Sequence, residues 1–98
     1  MGDAFTEAMF AENLNTKFRV QGLPREIELE LIELTSLSST PNQVQFSIWF
    51  QGPADVYLPQ QIYGLDHERL GRLDLFLVPV GKNEDGFQYE AVFNRMVE

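Results

Sequence analysis

Residues Arg72 to Phe93 read RLDLFLVPV, then GKNEDG, then FQYEAVF: two apolar runs joined by turn-forming residues. Leu73, Leu75, Leu77 and Pro79 occupy alternate positions in the first run, as do Phe87, Tyr89, Ala91 and Phe93 in the second. Successive side chains of a strand point to opposite faces, so each set shares one face. Gly81, Lys82, Asn83, Glu84 and Asp85, closing on Gly86, supply the hairpin loop between them. A register that lays both sets on one face pairs Leu77 with Tyr89, Leu75 with Ala91 and Leu73 with Phe93. A slip of one residue would turn a whole set into water, so the choice of face is strongly held. The other face of the first strand is mixed, with Arg72 and Asp74 polar but Phe76, Val78 and Val80 apolar. That pattern predicts a strand covered on both sides along its second half. Pro79 has no N–H to donate to a ladder, so it belongs near the strand end or on an unpaired side.

The same period runs through the chain upstream. Gln43 to Gln51 alternates most cleanly, with Val44, Phe46, Ile48 and Phe50 inward and Gln43, Gln45, Ser47, Trp49 and Gln51 outward. Trp49 is the exception among those outward residues. It either lies under the following loop, the favoured expectation, or marks a binding surface. Thr16 to Gln21 reads as a strand with Phe18 and Val20 inward, and Gly22, Leu23 and Pro24 make the turn. In Arg25 to Ser36, Ile27, Leu29 and Leu31 alternate with Glu26, Glu28 and Glu30, after which the parity changes. A β-bulge near Leu31 and Ile32 explains the change. Pairing Val20 with Ile27 sets Arg19 opposite Glu28 and Lys17 opposite Glu30, which makes the carboxylate row a solvated face. Alternate residues of a strand project in parallel about 6.5 Å apart, so those carboxylates do not converge on an ion.

The remaining segments read as loop or helix. Leu37 to Asn42 reads as a loop, and Asp3 to Leu14 as the one helical stretch, capped by Asp3 with Phe5, Met9 and Phe10 to one side. Such a helix plugs a barrel end or covers an open sheet edge. Gly52 to Gly71 is a long connection in which Gln60 to Tyr63 reads as a short strand and LDHERL as a loop bracketed by Gly64 and Gly71.

Composition narrows the function classes. The chain has 98 residues, the length of one domain, and its 44% hydrophobic and 12% aromatic content suits a packed core. No apolar run approaches the roughly 20 residues that span a bilayer as a helix. The N-terminal MGDAFTEAMF carries acids and no basic n-region, so no secretory signal is read and a cytoplasmic location is expected. Gly2 and Thr6 match a myristoylation pattern, which is read as a chance match. The absence of cysteine excludes disulfides, thiolate catalysis and cysteine-based zinc sites. A net charge of -8 argues against nucleic acid and against anionic membranes.

Candidate chemistry is sparse. His67 is the single histidine, between Asp66 and Glu68. An Asp-His-Glu run could imitate a base with an orienting carboxylate, but sequence neighbours seldom point at one another in a turn. Nucleophile elbows, phosphate loops and paired histidine ligands are missing from the sequence. Tyr57, Tyr63 and Trp49 could form an aromatic platform for a sugar or a peptide, or could close a barrel mouth.

The blocks FSIWFQGP (Phe46 to Pro53), LPQQIY (Leu58 to Tyr63), HERLGRLDLFLVPVG (His67 to Gly81) and YEAVFN (Tyr89 to Asn94) resemble a family of small bacterial domains of unknown function. FLVPVG and YEAVFN are the specific part. The resemblance implies a bacterial β domain acting alone or as an accessory, with some relatives encoded near phage-tail-collar-like proteins. It brings no catalytic residues with it.

The expected fold is mainly β, a small antiparallel barrel or compact sandwich of five to six strands with a short N-terminal helix. The expected function is a non-enzymatic protein-interaction or structural accessory module, binding a protein partner through Trp49, Tyr57, Tyr63 and His67. No cofactor and no metal are expected, and the oligomeric state is left open. Carbohydrate or small-ligand binding in the barrel mouth is the alternative, and a hydrolase using His67 stands third.

Overall fold

From Lys17 onward, each stretch of period-two hydrophobicity is a strand in the computed structural model, which describes residues 6–40 and 43–96. A short helix, α1 (Glu7–Ala11), precedes β1 (Lys17–Val20), β2 (Ile27–Thr40), β3 (Gln43–Gln51), β4 (Gln61–His67), β5 (Gly71–Asn83) and β6 (Gly86–Met96). The strands pair antiparallel in the closed order β1-β2-β3-β6-β5-β4. The fold is therefore a barrel and not a sandwich.

Two long strands make the closure possible by changing neighbours part-way. β2 pairs with β1 from Ile27 to Glu30 and with β3 from Glu30 to Thr40. β5 pairs with β4 from Gly71 to Leu77 and with β6 from Val78 to Asn83. Each shift is accommodated by a bulge, between Leu31 and Glu33 in β2 and between Pro79 and Gly81 in β5. An extra residue bends the strand and raises its local twist, which turns a sheet into a barrel. The β2 bulge falls where the sequence parity changes. Pro79 lies past the last β4 pair, at Leu77, where no ladder bond to β4 is required of it.

The inward set forms the core. Phe18, Leu29, Leu31, Phe50, Leu65 and Tyr89 are all shielded from solvent. Phe18 meets Phe50 edge-on with ring centroids 5.2 Å apart. Toward the other end, Phe46 and Phe93 stack at 4.8 Å, and Phe10 of α1 packs against both. A helix of five residues has little stability of its own, so this burial is what holds it. Thr6 caps it by accepting from the Met9 N–H at 3.2 Å. The expected cap Asp3, and Phe5 with it, lie outside the described residues.

Several expectations are corrected. The β5–β6 hairpin pairs Pro79, not Leu77, with Tyr89. That displacement is an even step, but it holds only for Val78 and Pro79; Leu75 and Leu73 pair with Tyr63 and Leu65 of β4, and Ala91 and Phe93 with Ile48 and Phe46 of β3, instead of with each other. The displacement arises because the strands run on into GKNEDG. Asn83 pairs with Gly86, leaving Glu84 and Asp85 as the turn, and Asn83 Oδ1 accepts from the N–H groups of Asp85 and Gly86. β2 continues through Thr40, where a loop from Leu37 was expected. β4 runs to His67, so Leu65 and His67 belong to a strand and point inward. The β1–β2 register is as expected, but the ion partner of Arg19 is Asp66 of β4, at 3.9 Å. The second half of β5 is not covered on both sides, since Phe76 and Val80 are exposed.

The loop after β3 closes one end of the barrel. Gly52 N–H donates to the Phe87 carbonyl at 2.7 Å, and Leu58 N–H donates to the Tyr89 hydroxyl at 3.0 Å. These bonds draw residues 52–58 over the inner face of β6.

Candidate functional site

The four residues singled out by the sequence fall in three places. His67 ends β4 and is buried. Its Nδ1 accepts from the N–H groups of Arg69 and Leu70, at 3.0 and 3.1 Å. With Nδ1 occupied as an acceptor, the ring proton resides on Nε2, 2.8 Å from Thr16 Oγ1. The Thr16 hydroxyl in turn donates to the Asn13 carbonyl at 2.6 Å. Phe18 packs on the ring at 4.3 Å. Burial, then the nearby Arg69 guanidinium, holds the imidazole below its ordinary value against the opposing pull of Glu68. Both ring nitrogens are thus engaged in tying the β4–β5 turn to the segment before β1.

A cleft of about 440 Å³ lies beside this histidine, lined by Lys17, Arg19, Glu28, Asp66 and Glu68 as well. Asp66 accepts from Gln21 Nε2 at 2.8 Å and faces Arg19, so it does not orient the imidazole as a catalytic carboxylate would. Among the described residues, no group of His, Asp and Glu side chains could hold a metal ion.

Tyr57 and Tyr63 come together at the barrel mouth. They line a cleft of about 490 Å³ with Leu23, Pro24, Val56 and Pro59, and the Arg25–Asp55 ion pair, 3.0 Å long, stands at its edge. Only Tyr57 offers its ring to solvent, at 56% exposure, with Phe87 edge-on behind it at 5.3 Å. Tyr63 is buried, and its hydroxyl donates to the Pro59 carbonyl at 2.5 Å. Burial, then the neighbouring Tyr89 and Tyr57, raises the Tyr63 phenol above its ordinary value. Tyr63 therefore shapes the cleft wall and keeps its proton at any physiological pH.

Trp49 stands apart on the outer wall, half-buried, with Glu33 of β2 opposite on one side and Glu90 of β6 on the other. Its Nε1 is shielded from solvent and has no hydrogen-bond partner among the described residues. The loop after β3 is anchored to Phe87 and Tyr89 at the inner face, away from this wall.

Sequence reasoning missed the outer-wall residues around Trp49. Ile62 and Phe76 pair directly across β4 and β5 and are 66% and 49% exposed. Val78 follows on the same face of β5, opposite Glu90. Val92, 56% exposed, follows Glu90 on the same face of β6 and lies opposite Ser47, the outward neighbour of Trp49. The result is an apolar band from β4 through β5 and β6 toward β3. A signal was present in the sequence. Phe76, Val78 and Val80 ask for cover, yet α1, the one helix among the described residues, packs at the barrel end against Phe46 and Phe93.

A family model described as a domain of unknown function, DUF6916, matches residues 5–93. The chain belongs to the DUF6916 family. The match spans nearly the whole barrel, including α1 and all the strands except the last residues of β6. Nothing matched among functionally curated proteins or among solved structures. For this DUF6916 domain, a functional reading has to come from its own surface. No helix among the described residues is long and apolar enough to cross a membrane.

Proposed function

We propose that this DUF6916 domain is a non-enzymatic protein-interaction or structural accessory module, and that the apolar band centred on Phe76 is its contact surface. The observation that carries the reading is the exposed Ile62–Phe76 pair, with Val78 and Val92 on the same outer wall. Exposed apolar side chains in contact across strands keep water ordered against them, and association relieves that. A non-enzymatic role is supported by the engagement of both His67 nitrogens in backbone and threonine contacts. A bacterial source and a place in a tail-like or surface assembly rest on the resemblance of FLVPVG and YEAVFN alone. A cytoplasmic site of action is part of the same proposal.

The test is site-specific photo-crosslinking in the native cell. A benzophenone side chain at position 76 is expected to capture discrete heavier species that the same probe at Glu28, on the charged wall, does not. Identical patterns at the two positions overturn the reading. Phe76→Glu should abolish the captured species for a probe at position 62 while changing stability by no more than about 0.5 kcal/mol, as for an exposed site.

A second reading, a small ligand or a carbohydrate at the barrel mouth, is favoured by the apolar cleft beside the exposed Tyr57 ring. An aromatic face with Gln61 and Arg25 nearby offers stacking and a few polar contacts. A soluble glycan and metabolite panel should then raise the melting temperature of the wild type and leave Tyr57→Ala unmoved. A panel without any shift removes this reading.

A further inference from the structure

The composition of the wall around the apolar band says what kind of partner fits it. Glu33 and Glu90 flank Trp49, and Glu90 also faces Val78 across the β5–β6 ladder. Asp74 is the next outward residue of β5 beyond Phe76, opposite Gly64 of β4. One cation borders the band itself: Arg72 lays its guanidinium over Gly64 and balances Asp74 at that end, 3.2 Å away. Arg19 lies 3.9 Å from Asp66, and Arg25 holds Asp55 at 3.0 Å. Lys82 sits over the Phe87 ring at 5.1 Å. The band is thus an apolar strip with Glu33 and Glu90 along its β3–β6 border and the balanced Arg72–Asp74 pair at its β4–β5 end, on a chain whose net charge is -8.

From this geometry we infer that the band docks a protein surface whose apolar contact residues are bordered by lysine or arginine, and not a second copy of this chain. The inference rests on the interaction reading above and adds the chemistry of the partner. An apolar strip supplies the contact energy and is indifferent to which apolar surface covers it. The flanking carboxylates make the choice, because docking an acidic border against another acidic border places like charges together as water leaves. An isologous dimer would do just that. A two-fold contact through one patch brings Glu33 and Glu90 of both copies to the same small area, each copy carrying -8 overall. Basic partners gain twice, through long-range steering and through pairing at the rim, and both gains weaken with salt.

The test uses the full chain and a displayed library of random peptides as the probe. Wild type is expected to enrich sequences that combine aromatic or aliphatic residues with Lys or Arg. The Glu33→Lys/Glu90→Lys chain should instead enrich Asp and Glu beside the same apolar residues, and should bind the wild-type peptides about tenfold less tightly. Glu33→Lys alone, at an exposed site, gives the same direction if the double variant folds poorly. Selections that depend on Phe76 but ignore the charge swap overturn the partner inference and leave the interaction reading standing. Selections unchanged by Phe76→Asp overturn the interaction reading itself. Sedimentation is expected to show a monomer at micromolar concentration; a dimer that Phe76→Asp dissolves assigns the band to a second copy and also overturns the inference.

Discussion

Gly86→Ala is expected to destabilise the barrel by about 4 kcal/mol, enough to leave a domain of this size largely unfolded. Two effects add. Gly86 has φ +139, a conformation that side-chain-bearing residues rarely adopt. A Cβ there would also collide with the Gly52 carbonyl oxygen and approach Pro53 C to 2.6 Å and Ala54 N to 2.8 Å. All of these are backbone atoms, so no side-chain rotation relieves the contact. The loop would have to lift, and its anchors would be lost with it. The first of these is the Gly52 N–H bond to the Phe87 carbonyl, and Gln51 Nε2 donates to the same oxygen at 3.3 Å. Urea denaturation followed by circular dichroism measures the loss. Gly22→Ala is the matched control, with φ +82 but nothing within 4 Å of the added carbon. Its expected loss is about 1 kcal/mol, from conformation alone. Equal losses at the two positions would mean that the crossing of residues 52–54 over the hairpin end contributes nothing.

That crossing also marks what a linear reading can and cannot recover. Gly52-Pro53 and NEDG are each legible as chain reversals, because glycine, proline and asparagine act on their own backbone. That the two reversals touch depends on the barrel closing, which no local pattern encodes. The same division holds elsewhere. Alternation alone places Phe46, Ile48 and Phe50 in the core, and a break in it places the bulge at Leu31. The β5–β6 register is legible only in which residues face inward, since the bulge at Pro79 and the exchange of neighbours beyond Val78 leave no mark in the alternation. β4 was shortened because Gly64, Asp66 and His67 look like loop residues. Yet Tyr63, Leu65 and His67 alternate, and a histidine counts as apolar once its nitrogens are satisfied. The apolar band was the largest omission. Alternation alone predicts Phe76 and Val80 buried, because apolar residues on both faces ordinarily mean two layers of cover. Among the described residues the one helix is spent on Phe46 and Phe93, and no second layer lies over Phe76.

His67→Ala is expected to destabilise the fold by about 3 kcal/mol at neutral pH, and the loss should shrink in acid. The imidazole joins pieces distant in sequence. Its Nε2–H reaches Thr16, its Nδ1 holds the N–H groups of Arg69 and Leu70, and its face lies on Phe18. Alanine leaves two part-buried N–H groups without their acceptor, costs the Thr16 hydroxyl one of its two bonds and opens a cavity against Phe18. The pH dependence has a definite sign. The folded-state value lies below the ordinary 6.5, so between the two the unfolded chain binds more protons than the folded one. Stability due to His67 is therefore complete above about pH 6.5 and declines as the pH falls through and below it. Burial is the first cause that opposes protonation and the Arg69 guanidinium the second, and a proton at Nδ1 would besides face two backbone donors. Lys17 and Arg19 line the same cleft and oppose a second cation, while Glu28, Asp66 and Glu68 favour one. His67→Gln, which cannot titrate, should start less stable than wild type at pH 7.5 and lose less on acidification to pH 5. Melting curves of the three chains at both values measure this. If wild type and His67→Gln lose the same stability on acidification, the decline belongs to the carboxylates. The tie between the β4–β5 turn and Thr16 then carries no proton-linked stability.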